Sequence, residues 1–526
     1  MKHLTLEQKI GQMIVVRASG HLCDRQIRYP AWEPPNAQLR EWLETLYIGG
    51  VILLGGSVAE ISLRTQQLQS WAKRPLVIAA DIEEGVGQRF AGATWFPPPM
   101  ALGEIAQKNL SLGKALAKQM GEITAKEALT IGINWLLAPV VDVNNNHQNP
   151  VINVRAFSDD PELVGELAKA YIAGAKSYPV LTTAKHFPGH GDTTSDSHLD
   201  LPVITHDAER LQAIEIPPFK AAISAKVDSI MTGHLQIPAW DNQRPATLSP
   251  KILGEQLRQT LGFEGLIVSD ALMMGGVTKF ADPKEVAIMA VEAGVDVLLM
   301  PPNPALAIKA IAAAVKSGRI DEAQIERSVN RIWQAKQGLN DSFDTFTGSL
   351  LSQLSQPEAT AVVNCITTES NRLGENFPVA KVKQGRNLVV VDDLLNCEFL
   401  DRQSPVVTIP TQLGYELQLV DSHTLNLLQD DGSPTVLQAF IRGNPFRGAA
   451  GLTQATRQVY STLLQSPQFQ GLILYGSPYV LDWFREQLPP DVPWIFSYGQ
   501  ASESQAIAVR QLFDLSEVPQ EIADTF

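Results

Sequence analysis

Between Ala184 and Leu201 the chain reads AKHFPGHGDTTSDSHLDL, which gathers Lys185, His186, His190, Asp192, Asp196, His198 and Asp200 into one short segment. Imidazoles and carboxylates at that density supply proton donors and acceptors near neutral pH. Asp196 and His198 are separated by a single residue, close enough to hydrogen-bond within a loop. A carboxylate beside an imidazole fixes its tautomer and favours its charged form, so the proton is held to a higher pH than the usual value of about 6.5. The apolar run Pro179 to Thr183 precedes the segment, which therefore reads as the end of a buried strand opening into a loop.

Other apolar runs close on chemistry-bearing residues in the same way. LVIAAD ends at Asp81, with Glu83 and Glu84 just beyond, and GLIVSD ends at Asp270. Further run ends carry Arg17, Asp142 and His234. One aspartate in such a place commonly caps the next helix. Several on one rim argue for a site, because a charge at the end of a buried strand is costly unless it is used. Three chemistries remain open for the loop histidines. A metal could be held by His186, His190, His198 and nearby aspartates, although H-x-H and H-E-x-x-H spacings are lacking and no metal is expected. In a structural loop, His190 and His206 would satisfy backbone groups while Gly189 and Gly191 make turns. The third is glycoside chemistry, with a carboxylate nucleophile and a separate proton donor.

The elements that must position these groups alternate between short apolar strands and helical patterns. Eight strands are expected, at Ile14–Arg17, Gly50–Leu54, Leu76–Asp81, Trp135–Val143, Val180–His186, Ser229–His234, Leu266–Asp270 and Val295–Met300. Amphipathic helices such as Val58–Trp71, Leu112–Leu129 and Pro161–Lys176 lie between them. Eight such units in residues 1–340 most simply close into a (β/α)8 TIM barrel, whose catalytic groups lie at the C-terminal strand ends. An open doubly wound sheet is the alternative. The first strand leads into VVRASG rather than a G-x-G-x-x-G turn, which favours the barrel.

Residues 341–380 read as a linker with one helix from Leu350–Leu354 onward, and 381–526 as a smaller, sandwich-like α/β domain. Its expected strands are Asn387–Val391, Pro405–Ile409, Val436–Ile441, Leu472–Tyr475 and Trp494–Phe496. The net charge of −14 over 526 residues argues against a nucleic-acid partner. Three widely spaced cysteines suggest neither a disulfide framework nor a zinc site. The opening MKHLTLEQKIGQM enters an amphipathic helix without a secretory signal, and no run approaches the ~18 apolar residues of a spanning helix, so a soluble cytoplasmic protein with no membrane partner is expected.

KHFPGHGDT-x-x-DSH, from Lys185 to His198, resembles the signature of family 3 glycoside hydrolases of the β-N-acetylglucosaminidase (β-N-acetylhexosaminidase) branch. The resemblance covers most of the first 335 residues. LTLEQKIGQM is similar to the family's opening, DIEEGVGQRF to its substrate-binding turn D-Q-E-G-G-R-V-Q-R, and NPVINVRAFSDDP to the segment supplying a sugar-binding arginine. MTGHLQIPAW with RPATLSPKIL resembles the sixth βα unit, and VSDALMMGGV the nucleophile segment S-D-D-L-S-M. GLILYGSPYVL and WIFSYGQASESQAIAV resemble the C-terminal domain of longer members, for which a structural or pocket-closing role is expected.

The resemblance implies a retaining glycosidase acting on a small carbohydrate without a cofactor. Asp270 would be its nucleophile, His198 its acid/base and Asp196 the dyad partner, with Asp81, Arg89, Arg155, Lys185 and His186 binding the sugar. Val86 and Glu84 depart from the family's Arg and Gly, and Ala271 and Met273 from its second Asp and Ser. These changes alter the pocket more than the chemistry, so a β-glucosidase of the same family stands as an alternative, as does an inactive sugar-binding barrel. A histidine acid/base, lacking a glutamate's charge, also leaves room for phosphate to compete with water.

Overall fold

The structure is a computed structural model that describes residues 4–193, 199–339, 352–375, 377–379, 382–428, 432–442 and 451–515. Eight parallel strands form the first sheet: β1 (Ile14–Ser19), β2 (Gly50–Leu54), β3 (Val77–Ala80), β4 (Trp135–Leu136), β5 (Leu181–Phe187), β6 (Ser229–Thr232), β7 (Leu266–Ser269) and β8 (Leu298–Leu299). Their order is β7-β6-β5-β4-β3-β2-β1-β8. A bridge between Val268 and Val297 joins the two ends, with Ser269 N donating to Val297 O at 3.0 Å. The ring is thus closed, and the expected barrel rather than an open sheet is found. Its strands are buried along nearly their whole length, as expected where helices cover the outside and side chains fill the inside.

Local sequence explains where the covering helices start. Ser57 accepts from Glu60 N, Asp160 from Glu162 N and Asn303 from Leu306 N, and Pro161 and Pro304 occupy first turns, where no intrahelical N–H is lost. β4 is much shorter than the expected Trp135–Val143. The segment beyond it stays buried and continues the pairing irregularly, with Leu137 N donating to Ala80 O and Val141 N to Lys185 O. Asp142 is carried on this extension.

The second sheet has the order β11-β10-β12-β13-β14-β9, built from β9 (Arg372–Leu373), β10 (Gly385–Val390), β11 (Tyr415–Val420), β12 (Thr435–Ile441), β13 (Phe469–Gly476) and β14 (Trp494–Ser497). Only β9 runs antiparallel. Pro405–Ile409, expected as a strand, lies in a helix, Pro405–Gln412. Its β-branched run imitates a buried strand, but Pro405 sits in the helix's first turn and the segment packs across β10 and β11. In the stretch expected as a linker with one helix, Pro357–Ser370 is a helix that buries Val362, Val363 and Ile366 between the barrel's Met100–Lys108 helix and the second domain's Ser502–Leu512 helix. One continuous cluster of buried apolar side chains runs from the barrel into the second sheet. Among the described residues, no helix is long and apolar enough to cross a membrane.

Candidate active site

Of the predicted site residues, Asp81, Arg89, Arg155, Lys185, His186 and Asp270 lie among the described residues, at strand ends on the C-terminal rim of the barrel or in the turns beyond them. Asp81 directly follows β3 and opens the turn that contains Glu83, Glu84 and Arg89. Lys185, on β5, donates from Nζ to Asp81 Oδ1 at 2.7 Å and pairs with Glu83 Oε1 at 2.6 Å. Arg155, from the short helical turn Asn153–Arg155 beyond β4, grips Glu83 with a two-point fork, Nε and Nη2 each 2.8 Å from a carboxylate oxygen. Arg89 Nε donates to the Asp81 carbonyl at 3.0 Å.

This cluster is desolvated on one side only. Lys185 and Glu83 are buried, whereas Asp81 keeps 36 % of its side chain exposed. Burial alone would raise the Glu83 carboxyl, but the Arg155 and Lys185 charges hold it well below the usual carboxylate range. Burial likewise opposes the Lys185 and Arg155 charges, and the neighbouring carboxylates outweigh it and raise both. The result is a fixed floor of paired charges with one carboxylate, Asp81, reaching into solvent, where it can accept hydrogen bonds from a polar ligand.

β5 carries a local irregularity that places consecutive side chains in the site. Lys185 aligns with Met231 and Phe187 with Thr232, so His186 is an extra residue in the ladder. Lys185 consequently reaches the β3 turn while His186 Nδ1 lies 2.8 Å from Asp142 Oδ2. Asp142 is fully buried and also accepts from His186 N at 3.1 Å and from His190 N at 2.7 Å. Burial opposes its charge, yet His186 and these donors hold its carboxyl below the ordinary value. The loop follows the extension closely. A Cβ on Gly191 would stand 1.7 Å from Val143 O, and Gly189 has φ +128°, so only glycine fits at either position.

His190 is buried, with Nδ1 2.8 Å from Thr193 Oγ1, and burial pushes its imidazole down to about 4. The unfolded chain therefore binds a proton, at about 6.5, that the folded protein refuses. Stability conferred by a neutral His190 is present above about pH 6.5 and is lost as pH falls toward 4. We expect melting scans to show a steep acid decline over that window in the wild type. His190→Asn, which retains a polar atom near Nδ1, should flatten the decline by about 3 kcal/mol at pH 4; equal slopes would count against a buried neutral imidazole.

Asp270 follows β7, where its backbone N donates to Thr232 O at 3.2 Å and its Oδ1 accepts from Ala271 N at 2.7 Å. It is near enough to His190 to bear on that imidazole's charge. His234, at the end of β6, is fully buried, with Nε2 3.0 Å from Ala271 O and Nδ1 2.8 Å from Thr247 Oγ1. It thus fastens the residue after Asp270. Arg17 pairs with Glu33 at 2.9 Å and lies against Tyr29 and Trp32. Asp196 and His198 lie outside the described residues. The residues flanking them are tied down, Asp192 to His206 at 2.5 Å and Asp200 to Lys279 at 2.5 Å.

Two residues that sequence reasoning placed at strand ends without giving them a role prove central to the geometry. Glu83 couples Arg155 to Lys185, and Asp142 orients His186. Each signal lay in the chain: a second carboxylate two residues after Asp81, and an aspartate inside an otherwise apolar strand. Among the described residues, no group of three or more His, Cys, Asp or Glu is arranged to hold a metal ion.

A closed βα barrel with a charged cradle at its C-terminal rim, backed by a second α/β domain, defines the structural class. Residues 5–335 match the glycosyl hydrolase family 3 N terminal domain and residues 379–514 the bacterial glycosyl hydrolase family 3 C-terminal domain. The chain belongs to glycosyl hydrolase family 3. A solved family 3 β-N-acetylglucosaminidase from Paenibacillus sp. str. FPU-7 superposes with a TM-score of 0.79 at 29% identity, covering 97% of each chain. The β-hexosaminidase A of Pseudoalteromonas piscicida is 37% identical over 344 residues, 59% of this chain and 56% of the relative. A β-N-acetylglucosaminidase/β-glucosidase of Cellulomonas fimi is 28% identical over 367 residues, 67% of this chain and 64% of the relative. The matched stretch thus spans less than two thirds of either of these two relatives.

Proposed function

We propose that this protein is a retaining β-glycosidase that releases terminal N-acetylhexosamine residues from small carbohydrates. The observation that carries the reading is the convergence of Asp81, Glu83, Arg155, Lys185 and the Asp142–His186 pair on one rim, with Asp270 at the end of β7, two strands along the ring from β5, in a family 3 chain. Asp81, Arg89, Arg155, Lys185 and His186 hold the sugar hydroxyls. An Asp270 carboxylate oxygen attacks the anomeric carbon as His198, charged with the help of Asp196, gives its proton to the departing glycosidic oxygen. Water then attacks the glycosyl-enzyme while His198 takes the water's proton, freeing the sugar and the Asp270 carboxylate.

The β-N-acetylglucosaminidase and β-hexosaminidase names of the relatives favour the N-acetyl substrate. The doubly named C. fimi relative keeps β-glucoside in view as the second reading. Aryl N-acetylglucosaminide and aryl glucoside assayed side by side decide between them, and binding of sugar without turnover of either would overturn both. In the same assay His198→Ala should lose roughly 10²–10⁴-fold in turnover, the usual worth of a positioned acid/base. The loss should be smallest for nitrophenyl leaving groups, which need least protonation; an unchanged rate on an alkyl glycoside would remove His198 from the mechanism. A cytoplasmic setting suits the three unpaired cysteines, of which Cys23 is exposed. Recovery of the native protein from a periplasmic fraction would count against it.

A further inference from the structure

The second domain sends one cation into the turn that holds the sugar-binding cluster. Arg442 directly follows β12, and its guanidinium forks onto the Glu84 carboxylate, Nη1 lying 3.2 Å from Oε2 and Nη2 pairing with Oε1. Glu84 is buried, with 1 % of its side chain exposed, and Trp95 Nε1 also donates to it at 3.0 Å. Glu84 is adjacent in sequence to Glu83, which by itself joins Arg155 to Lys185.

Each carboxylate of this turn has an ion-pair partner, and Arg442 is the partner of Glu84. Asp81 pairs with Lys185, Glu83 with Lys185 and Arg155, and Glu84 with Arg442, while Arg89 is turned to the Asp81 carbonyl. Without Arg442, the buried Glu84 carboxylate would keep the Trp95 N–H but no ion-pair partner beside Glu83, and its charge would compete with Glu83 for the cluster's remaining cations. A second contact from the same domain supports the other half of the cluster. Tyr479 OH accepts from Asn144 Nδ2 at 2.8 Å, Asn144 Oδ1 accepts from Asn153 N at 3.0 Å, and Asn153 opens the short turn that presents Arg155.

We infer that Arg442 is a positioning residue for substrate binding, which neutralises Glu84 so that Arg155 and Lys185 remain committed to Glu83, Asp81 and the sugar. The second domain thereby acts on the barrel's site without touching the substrate through this residue. The inference rests on the glycosidase reading above. Full-length wild type, Arg442→Met, Glu84→Gln and the double variant are compared for kcat and KM on aryl N-acetylglucosaminide and for N-acetylglucosamine binding by calorimetry. Arg442→Met should raise KM at least tenfold with kcat within about threefold of the wild type, and adding Glu84→Gln should return KM to within about threefold. Arg442→Lys keeps the charge but not the fork; it should fall between and serves if Arg442→Met does not fold. Unchanged KM in Arg442→Met, or an equal loss in the double variant, overturns the inference. A wild type that neither binds nor hydrolyses the sugars sinks the glycosidase reading itself.

Discussion

Asp270→Ala is expected to lower turnover roughly 10⁴-fold or more and to abolish covalent labelling by a fluorinated glycosyl fluoride. The size of the effect follows from the proposed role: the Asp81 and Glu83 carboxylates are paired with Lys185 and Arg155, which leaves Asp270 as the carboxylate assigned to form the glycosyl ester. The cost to folding should be small. The Asp270 backbone N to Thr232 O contact, and the Ala271 carbonyl to His234 Nε2 contact, both survive truncation at Cβ. Thermal melting close to that of the wild type, together with lost labelling, would separate chemistry from stability. Retention of normal turnover would remove Asp270 from the mechanism and with it the double-displacement route.

The barrel was legible because its strands are short apolar runs ending in charge, a pattern that buried parallel sheets impose on sequence. All eight expected strands are present. β4 fell short because residues 137–143 stay buried and, Asp142 apart, apolar, which patterning reads as strand, while their backbone leaves the regular ladder. The second domain was read less well for a related reason. Residues 405–409 are β-branched and apolar, yet tertiary packing and Pro405 make them helical, whereas β11 exposes every interior residue in part and shows no apolar run. For the candidate site, sequence identified the residue types at strand ends but not who pairs with whom. That Glu83 rather than Asp81 joins Arg155 to Lys185, that Asp142 gathers two histidine backbones and a ring nitrogen, and that Glu84 draws Arg442 across 358 positions are matters of three-dimensional approach. Periodicity carries no trace of them.

Glu83→Gln should be the most damaging substitution among residues that do not form a bond to the sugar. Glu83 accepts a fork from Arg155 and a third contact from Lys185 in a site where its side chain is 4 % exposed. The amide keeps the volume but loses the charge, and it turns one acceptor oxygen into a donor facing a guanidinium or ammonium. Lys185 and Arg155 would then be left with Asp81 and, for Arg155, the Asp142 charge, and breaking a buried pair in this way costs about 3–5 kcal/mol. Part of that cost would appear as a lower melting temperature. The rest would appear at the sugar, because an underpaired Lys185 is drawn to Asp81 and pulls its exposed carboxylate away from solvent. KM should therefore rise by roughly 10²-fold, in line with the loss of a charged contact worth about 3 kcal/mol. Arg155→Lys should follow the same direction with a smaller effect, since it retains charge but not the fork. If Glu83→Gln melts with the wild type and binds sugar equally well, the cradle is not held together by this carboxylate, and the roles of Arg155 and Lys185 would have to be assigned independently of it.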